Sequence, residues 1–198
     1  MNIKIYQSRR SQMKQPVGRR LMRSEVRQLR SAVDTTTAKG KRDLAILDVM
    51  LFLGLRREEV ADLLLTAFRQ DGGRWWVVFP GKRDKVRRLK VHDLLFQTVT
   101  AWLQAAGLAF DQSGPVFRSF DRGDHVTSNG IDASVIGRLV SAYGFRAGLA
   151  PAQGENQLSA LCSACKSSNY LTQKHEKRLG FFSTNTVNTF VSYRFRKP

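Results

Sequence analysis

The stretch RDLAILDVMLFLGL, residues 42–55, constrains this chain more than any other. Its apolar residues surround a helical wheel instead of forming one stripe, and a helix of that kind is expected to lie buried. Gly54 interrupts it. Arg56 and Arg57 follow at once, then the acidic pair Glu58 and Glu59, which opens a second apolar run, EEVADLLL. Arginines so placed leave a buried turn for one of two reasons. They pair with the adjacent glutamates, or they reach a target outside the chain.

The elements around this stretch follow from period and punctuation. Ser24 is placed to cap a helix, SEVRQLRSAV, with Val26, Leu29 and Val33 on one face. TTTAKGK reads as a loop, and EEVADLLL as a third helix. The period then changes. DGG and PGKRD are turn signals between apolar and β-branched runs, which gives a three-stranded antiparallel meander at about 66–70, 74–79 and 86–91. VHDLLFQTVTAWLQAAG is a helix capped by Asp93. DQSGPVFRSFDRGDHVTSNG is loop with at most short strands, and IDASVIGRLVSAYGFRAGL is another helix. The expected class is α+β, a mostly helical domain with a small three-stranded antiparallel sheet.

Charge narrows the function. The formal net charge of the 198 residues is +17, which suits a polyanionic partner, most often nucleic acid. The excess lies at the ends. Residues 1–42 hold twelve Lys and Arg against two acids, and residues 161–198 hold seven against one, while the middle carries fourteen against thirteen. No run of eighteen apolar residues exists, so no membrane span is expected. MNIKIYQSRRSQMKQ lacks the apolar centre of a signal peptide, so a cytoplasmic location is expected. Cys162 and Cys165 form half a zinc site at most. His175 could be a third ligand, but no fourth is evident, so neither metal nor cofactor is expected.

The hairpin sharpens the reading of Arg56. PGKRDKVRRLKV puts Lys82 and Lys85 in a tight turn between strands, with Arg87 and Arg88 just after it. RDLAILDVMLFLGLRREEVADLL followed by WWVVFPGKRDKVRRLKV resembles the catalytic domain of the tyrosine recombinases, the phage integrase family. The order matches as well. RLMRSEVRQL is similar to the start of that domain, then come R-D, an apolar helix, G-L-R-x-x-E, and a small sheet with G-K-x-x-K-x-R at its hairpin. The resemblance covers roughly residues 19–160.

The resemblance implies a fold and a chemistry. The fold is that of the DNA breaking-rejoining enzymes. A tyrosine attacks a DNA phosphodiester and leaves a 3′-phosphotyrosyl link. Arg56 would be the first catalytic arginine, because a guanidinium matches the non-bridging phosphate oxygens in bidentate fashion. Lys82, with Lys85 as second choice, would protonate the departing 5′ oxygen. Prepositioned cations lower such a barrier without a metal. Glu59 would buttress the turn. Arg57, Lys85, Arg87, Arg88, Arg19 and Arg20 would hold DNA. Double-stranded DNA is the implied partner, with assembly as a homo-oligomer upon it.

The chain departs from the family pattern near residue 160. The family's S-x-H-x-L-R motif has Leu161 at the histidine position and Ala164 at the arginine position, after the matching lead-in Leu158-Ser159-Ala160. Farther on, RLGFFSTNTVNTFVSY puts Phe181 where a histidine is expected and Phe190 at the tyrosine spacing. Tyr193 is the better nucleophile candidate and Tyr170 the other. Two readings stand. One is a degenerate recombinase. The other is a junction near residue 160, by frameshift or insertion, and composition favours it. Residues 1–160 hold 15 Ala and 19 Arg against 7 Lys, whereas residues 161–198 hold 1 Ala and 3 Arg against 4 Lys.

The expected organisation is a basic arm at 1–20, a catalytic domain at 21–160 and a divergent basic tail at 161–198. Twenty residues are too few for the family's core-binding domain, so the chain reads as a truncated catalytic domain. Strand cleavage is expected to be impaired. The alternative function is non-catalytic DNA binding by the same basic surface. A helix-turn-helix regulator fits the hairpin and the sheet poorly.

Overall fold

The computed structural model describes residues 21–80 and 86–149. Helix α1 spans Arg23–Ser31, α2 Ala38–Leu53 and α3 Arg57–Ala61. Strands β1 (Phe68–Asp71), β2 (Arg74–Pro80) and β3 (Val86–Lys90) form an antiparallel sheet in the order β1-β2-β3. Helix α4 (Asp93–Ala106) follows, then a small hairpin of β4 (Arg118–Phe120) and β5 (Val126–Gly130), then α5 (Ala133–Arg146). The α+β class and the three-stranded meander are as the sequence implies. The DGG turn closes on Gly72 and Gly73, both with positive φ, and Asp71 pairs with Arg74 across it.

Helix α2 is the centre of the core. Ala45, Ile46, Leu47, Val49, Met50, Leu51 and Leu53 are all buried along it. It packs most extensively on α4, whose Leu95, Val99, Trp102 and Leu103 are buried in turn. Burying one side chain of this size contributes roughly 1.5–3 kcal/mol, so the pair of helices carries much of the fold. Trp102 is fully buried, and its indole nitrogen donates to the Val116 carbonyl at 2.8 Å. A ring cluster of Trp75, Phe96 and Phe110, with centroids 4.8–5.9 Å apart, fixes the inner face of the sheet against α4.

Several local expectations are corrected. Ser24 is inside α1, and the cap is Met22, whose backbone N–H donates to Glu25 Oε2 at 2.7 Å. TTTAKGK is only half loop, because Thr37 Oγ1 accepts from Gly40 N at 3.0 Å and starts α2 at Ala38. EEVADLLL is not one helix. After Ala61 the chain leaves helix, Leu63 O accepts from Val116 N, and Leu64 bridges Pro115. A 3-10 turn at Leu65–Ala67 then leads into β1. Tertiary pairing with the segment before β4 wins there over helical propensity. The cap of α4 is His92 and not Asp93, with Leu94 N donating to Nδ1 at 3.2 Å.

Helix α2 is also less apolar than its outline suggests. Arg42, Asp43 and Asp48 are all within 5% of full burial. Arg42 donates twice to Asp43 Oδ1, at 2.8 and 3.0 Å, and to the Arg118 carbonyl at 3.1 Å. Asp43 Oδ2 accepts from the Tyr143 hydroxyl at 3.0 Å, which ties α2 to α5. Burial, with Asp43 beside it, pushes the Tyr143 hydroxyl up to about 12. Asp48 accepts from Arg30 on α1 and Thr98 on α4. Burial raises the Asp48 carboxyl and Arg30 opposes the rise. Arg42, Asp43 and Asp48 thus each meet a partner of opposite charge, as a low-dielectric interior requires.

Candidate functional site

The turn at Gly54 explains how Arg56 reaches the surface. Gly54 ends α2 with φ at +69°, a left-handed conformation that costs glycine nothing and L side chains more. Its neighbour Leu55 is 1% exposed and Val60 is fully buried. Between these two anchors the chain reverses into α3, and Arg56 stands at the N-cap position with 55% of its side chain exposed.

Glu59 organises the site. Its Oε2 accepts from the Arg56 backbone N–H at 2.8 Å, so it buttresses the turn. Its other oxygen, Oε1, accepts from Arg87 Nη1 at 3.3 Å and lies 3.9 Å from Arg56 Nη1. One carboxylate oxygen thus brings the guanidinium groups of Arg56 and Arg87 together, although 31 positions separate them in the chain. Arg87 is aimed by strand register. It pairs with Phe79 on β2, and its guanidinium carbon lies 4.8 Å over the Phe79 ring. The arrangement offers two cations on one side of a rigid turn, with hydrogen-bond donors to spare for an oxyanion. A half-open cavity of about 390 Å³ adjoins it, walled by Glu59, Leu64, Thr66, Val78 and Phe79 among others.

The other predicted residues divide. Arg57 does not join the cluster. It donates to Glu58 at 2.6 Å on the exposed side of α3, and this bond holds the Glu58 carboxyl below its usual range. Arg88 points to the opposite side of the sheet from Arg87, pairs with Asp71, and covers Trp76 at 4.1 Å. Lys82, Lys85, Tyr193, Tyr170, Arg19, Arg20, Cys162, Cys165 and His175 lie outside the described residues. Among the described residues no group of three His, Cys, Asp or Glu could hold a metal ion, and no helix is long and apolar enough to cross a membrane.

Sequence reasoning missed the second role of Glu59, its grip on Arg87. The signal is the alternation of β3. Arg87 shares a face with Phe79, the face that turns toward the core, while Arg88 does not. It also missed the Arg42–Asp43–Tyr143 set. The only cue there is a charged pair opening an apolar helix.

The comparisons agree with this geometry. The sequence matches the Phage integrase family over residues 19–191. No curated protein matches the chain. Among solved structures, the fold is similar to the XerH site-specific recombinase bound to a palindromic difH substrate in a post-cleavage complex. There the TM-score is 0.62 at 16% identity, covering 80% of this chain and 44% of that one. The XerH pre-cleavage complex with difH gives 0.59 at 15% identity, covering 81% and 45%. XerA recombinase gives 0.57 at 19% identity, covering 78% and 51%. This chain spans about half of those chains. The family match takes in all of the described residues, including the turn, α3 and the sheet that build the two-arginine cluster, and on that match the chain belongs to the phage integrase family.

Proposed function

We propose that the chain binds double-stranded DNA with a phosphate seated at Arg56 and Arg87, as a site-specific recombinase or integrase whose strand cleavage is impaired. The observation that carries the reading is the two-arginine cluster on Glu59. A scissile phosphodiester carries its charge on two non-bridging oxygens, and two adjacent guanidinium groups answer that charge in number and geometry. In the complete reaction a tyrosine hydroxyl gives up its proton to solvent, its oxygen bonds to phosphorus, and the bond to the 5′ oxygen breaks. The 5′ oxygen leaves with a proton, which Lys82 is placed by sequence to supply. Lys85 is the second choice, and Tyr193 the candidate nucleophile.

Impairment follows from the residues at the remaining positions. Leu161, Ala164 and Phe181 have no proton to give and no charge to place. Active-site groups of this kind act as a unit, so losing several leaves little for the rest to do. Arg57, Arg88, Arg19 and Arg20 add sequence-independent backbone contacts. Assembly as a homo-oligomer on DNA and a cytoplasmic location fit the same reading. The proposed organisation stays a basic arm at 1–20, a catalytic domain at 21–160 and a divergent tail. The family match continues to residue 191, which supports a worn but native tail beside the junction reading. The nucleotide sequence across codons 150–170 separates the two. A second frame encoding H-x-x-R, L-G-H and a tyrosine establishes the junction.

The test of function is a nicked duplex that traps a covalent protein–DNA link. The expected result is tight, salt-sensitive binding with little or no trapped product. Efficient trapping that disappears in Tyr193→Phe would overturn the impairment. Binding that ignores Arg56→Ala would overturn the DNA site.

A further inference from the structure

The cavity beside the two-arginine cluster joins an apolar wall to a charged edge. Leu64, Ala67, Val78 and Phe79 belong to the apolar wall. Leu64 keeps 48% of its surface in solvent, although its backbone is held in place by the bridge to Pro115. A volume of about 390 Å³ lies within the range of about 300–1,000 Å³ found for small-molecule sites.

Two wall residues are shared with the cluster. Glu59 lines the cavity, and its Oε1 accepts from Arg87 Nη1 at 3.3 Å and lies 3.9 Å from Arg56 Nη1. Phe79 lines it too, and the Arg87 guanidinium lies 4.8 Å over the Phe79 ring. Both guanidinium groups therefore stand next to the cavity wall. Asp62 and Arg69, also in the lining, cancel in formal charge. Glu59 cancels only one of Arg56 and Arg87, so one positive charge is left over. The 3.9 Å separation is too long for a hydrogen bond, which keeps the Arg56 donors open to an anion. A phosphodiester backbone brings the anion but no apolar body to cover Leu64 and Phe79. A ligand with both parts answers both features, because covering apolar surface releases its water.

We propose that this cavity is a regulatory site for a small amphiphilic carboxylate. Its head group sits on Arg56 and Arg87, and its apolar chain lies against Leu64, Ala67, Val78 and Phe79. Bound there, it keeps a DNA phosphate off the same arginines. The proposal rests on the reading that Arg56 and Arg87 seat a phosphate.

The experiment measures the affinity of the full chain for a mixed-sequence duplex with and without octanoate. Butyrate carries the head group without the body, and octanol the body without the head group. A competitive ligand at ten times its own Kd weakens duplex binding about eleven-fold. Octanoate is expected to do so, and butyrate and octanol at the same concentration are expected to change nothing. Leu64→Gln and Ala67→Trp, one stripping the mouth and one filling the cavity, are each expected to bring the octanoate effect close to one-fold. Each variant is compared with itself without octanoate, and a thermal melt confirms that it is folded. Octanoate without effect on wild type, beside an Arg56→Ala variant that binds DNA weakly, overturns this proposal and keeps the phosphate seat. Equal effects of octanoate and butyrate, or an effect that survives in both folded variants, overturn it as well. Octanoate and Arg56→Ala both without effect on duplex binding overturn the phosphate seat and this proposal together.

Discussion

Two arginine–carboxylate pairs flank the same helix, and they do opposite work. At the start of α2, Arg42 is 4% exposed and spends its donors on Asp43 and the Arg118 carbonyl. Just beyond the end of α2, Arg56 has 55% of its side chain in solvent, and its nearest carboxylate oxygen is 3.9 Å away. The first pair is closed to solvent and holds elements together. The second keeps its donors for something outside the chain. The difference is burial, not residue type. Desolvation forces an interior charge to saturate its hydrogen bonds, whereas water lets a surface charge stay available until a phosphate displaces it.

Four predictions test that contrast, from the largest expected effect down. Arg42→Ala leaves Asp43 buried without its cation. Breaking a buried pair from one side costs about 3–5 kcal/mol. At this length 1 kcal/mol moves the melting temperature by about 2–4 °C. A fall on the order of 10 °C is therefore expected in a thermal melt, and a fall no larger than that of Arg57→Ala would break the comparison.

Tyr143→Phe removes one hydrogen bond to Asp43, at a cost of about 1 kcal/mol. It also changes the alkaline profile. The folded hydroxyl titrates at about 12, above the ordinary 10.0, so its contribution is full below pH 10 and is lost as pH rises toward 12. Wild type should lose stability across that window and Tyr143→Phe should lose less. Parallel melts at pH 9 and pH 11 give the answer.

Arg56→Ala is expected to leave the melting temperature nearly unchanged, since an exposed pair contributes little. Its DNA-binding salt slope should fall by about 1. A large loss of stability would mean that Arg56 is a structural partner of Glu59 after all. Arg57→Ala should do least, within about 0.5 kcal/mol in stability. It separates the two neighbouring arginines, because only Arg56 shares the carboxylate that holds Arg87.

The path from sequence to site was uneven. The buried central helix, the glycine stop and the two-hairpin meander were legible because each has a local cause: an apolar circumference, a left-handed turn and paired turn residues. Arg56 was legible as the residue leaving that turn. Helix capping was read one or two residues off, because Met22 and His92 take positions for which Ser24 and Asp93 have the better propensity. EEVADLLL was misread because its later leucines serve a long-range pairing with the segment around Pro115.

The sequence alone settled the class of fold, the order of its elements and the basic character of the chain. Those properties depend on composition and on spacing within a few turns of chain. Only the tertiary structure decided which arginines act together. Arg56 meets Arg87 rather than its neighbour Arg57, because strand register carries Arg87 to the core side of the sheet and one carboxylate oxygen bridges the gap. Proximity across 31 positions is a product of packing, and a linear pattern carries no distance of that kind.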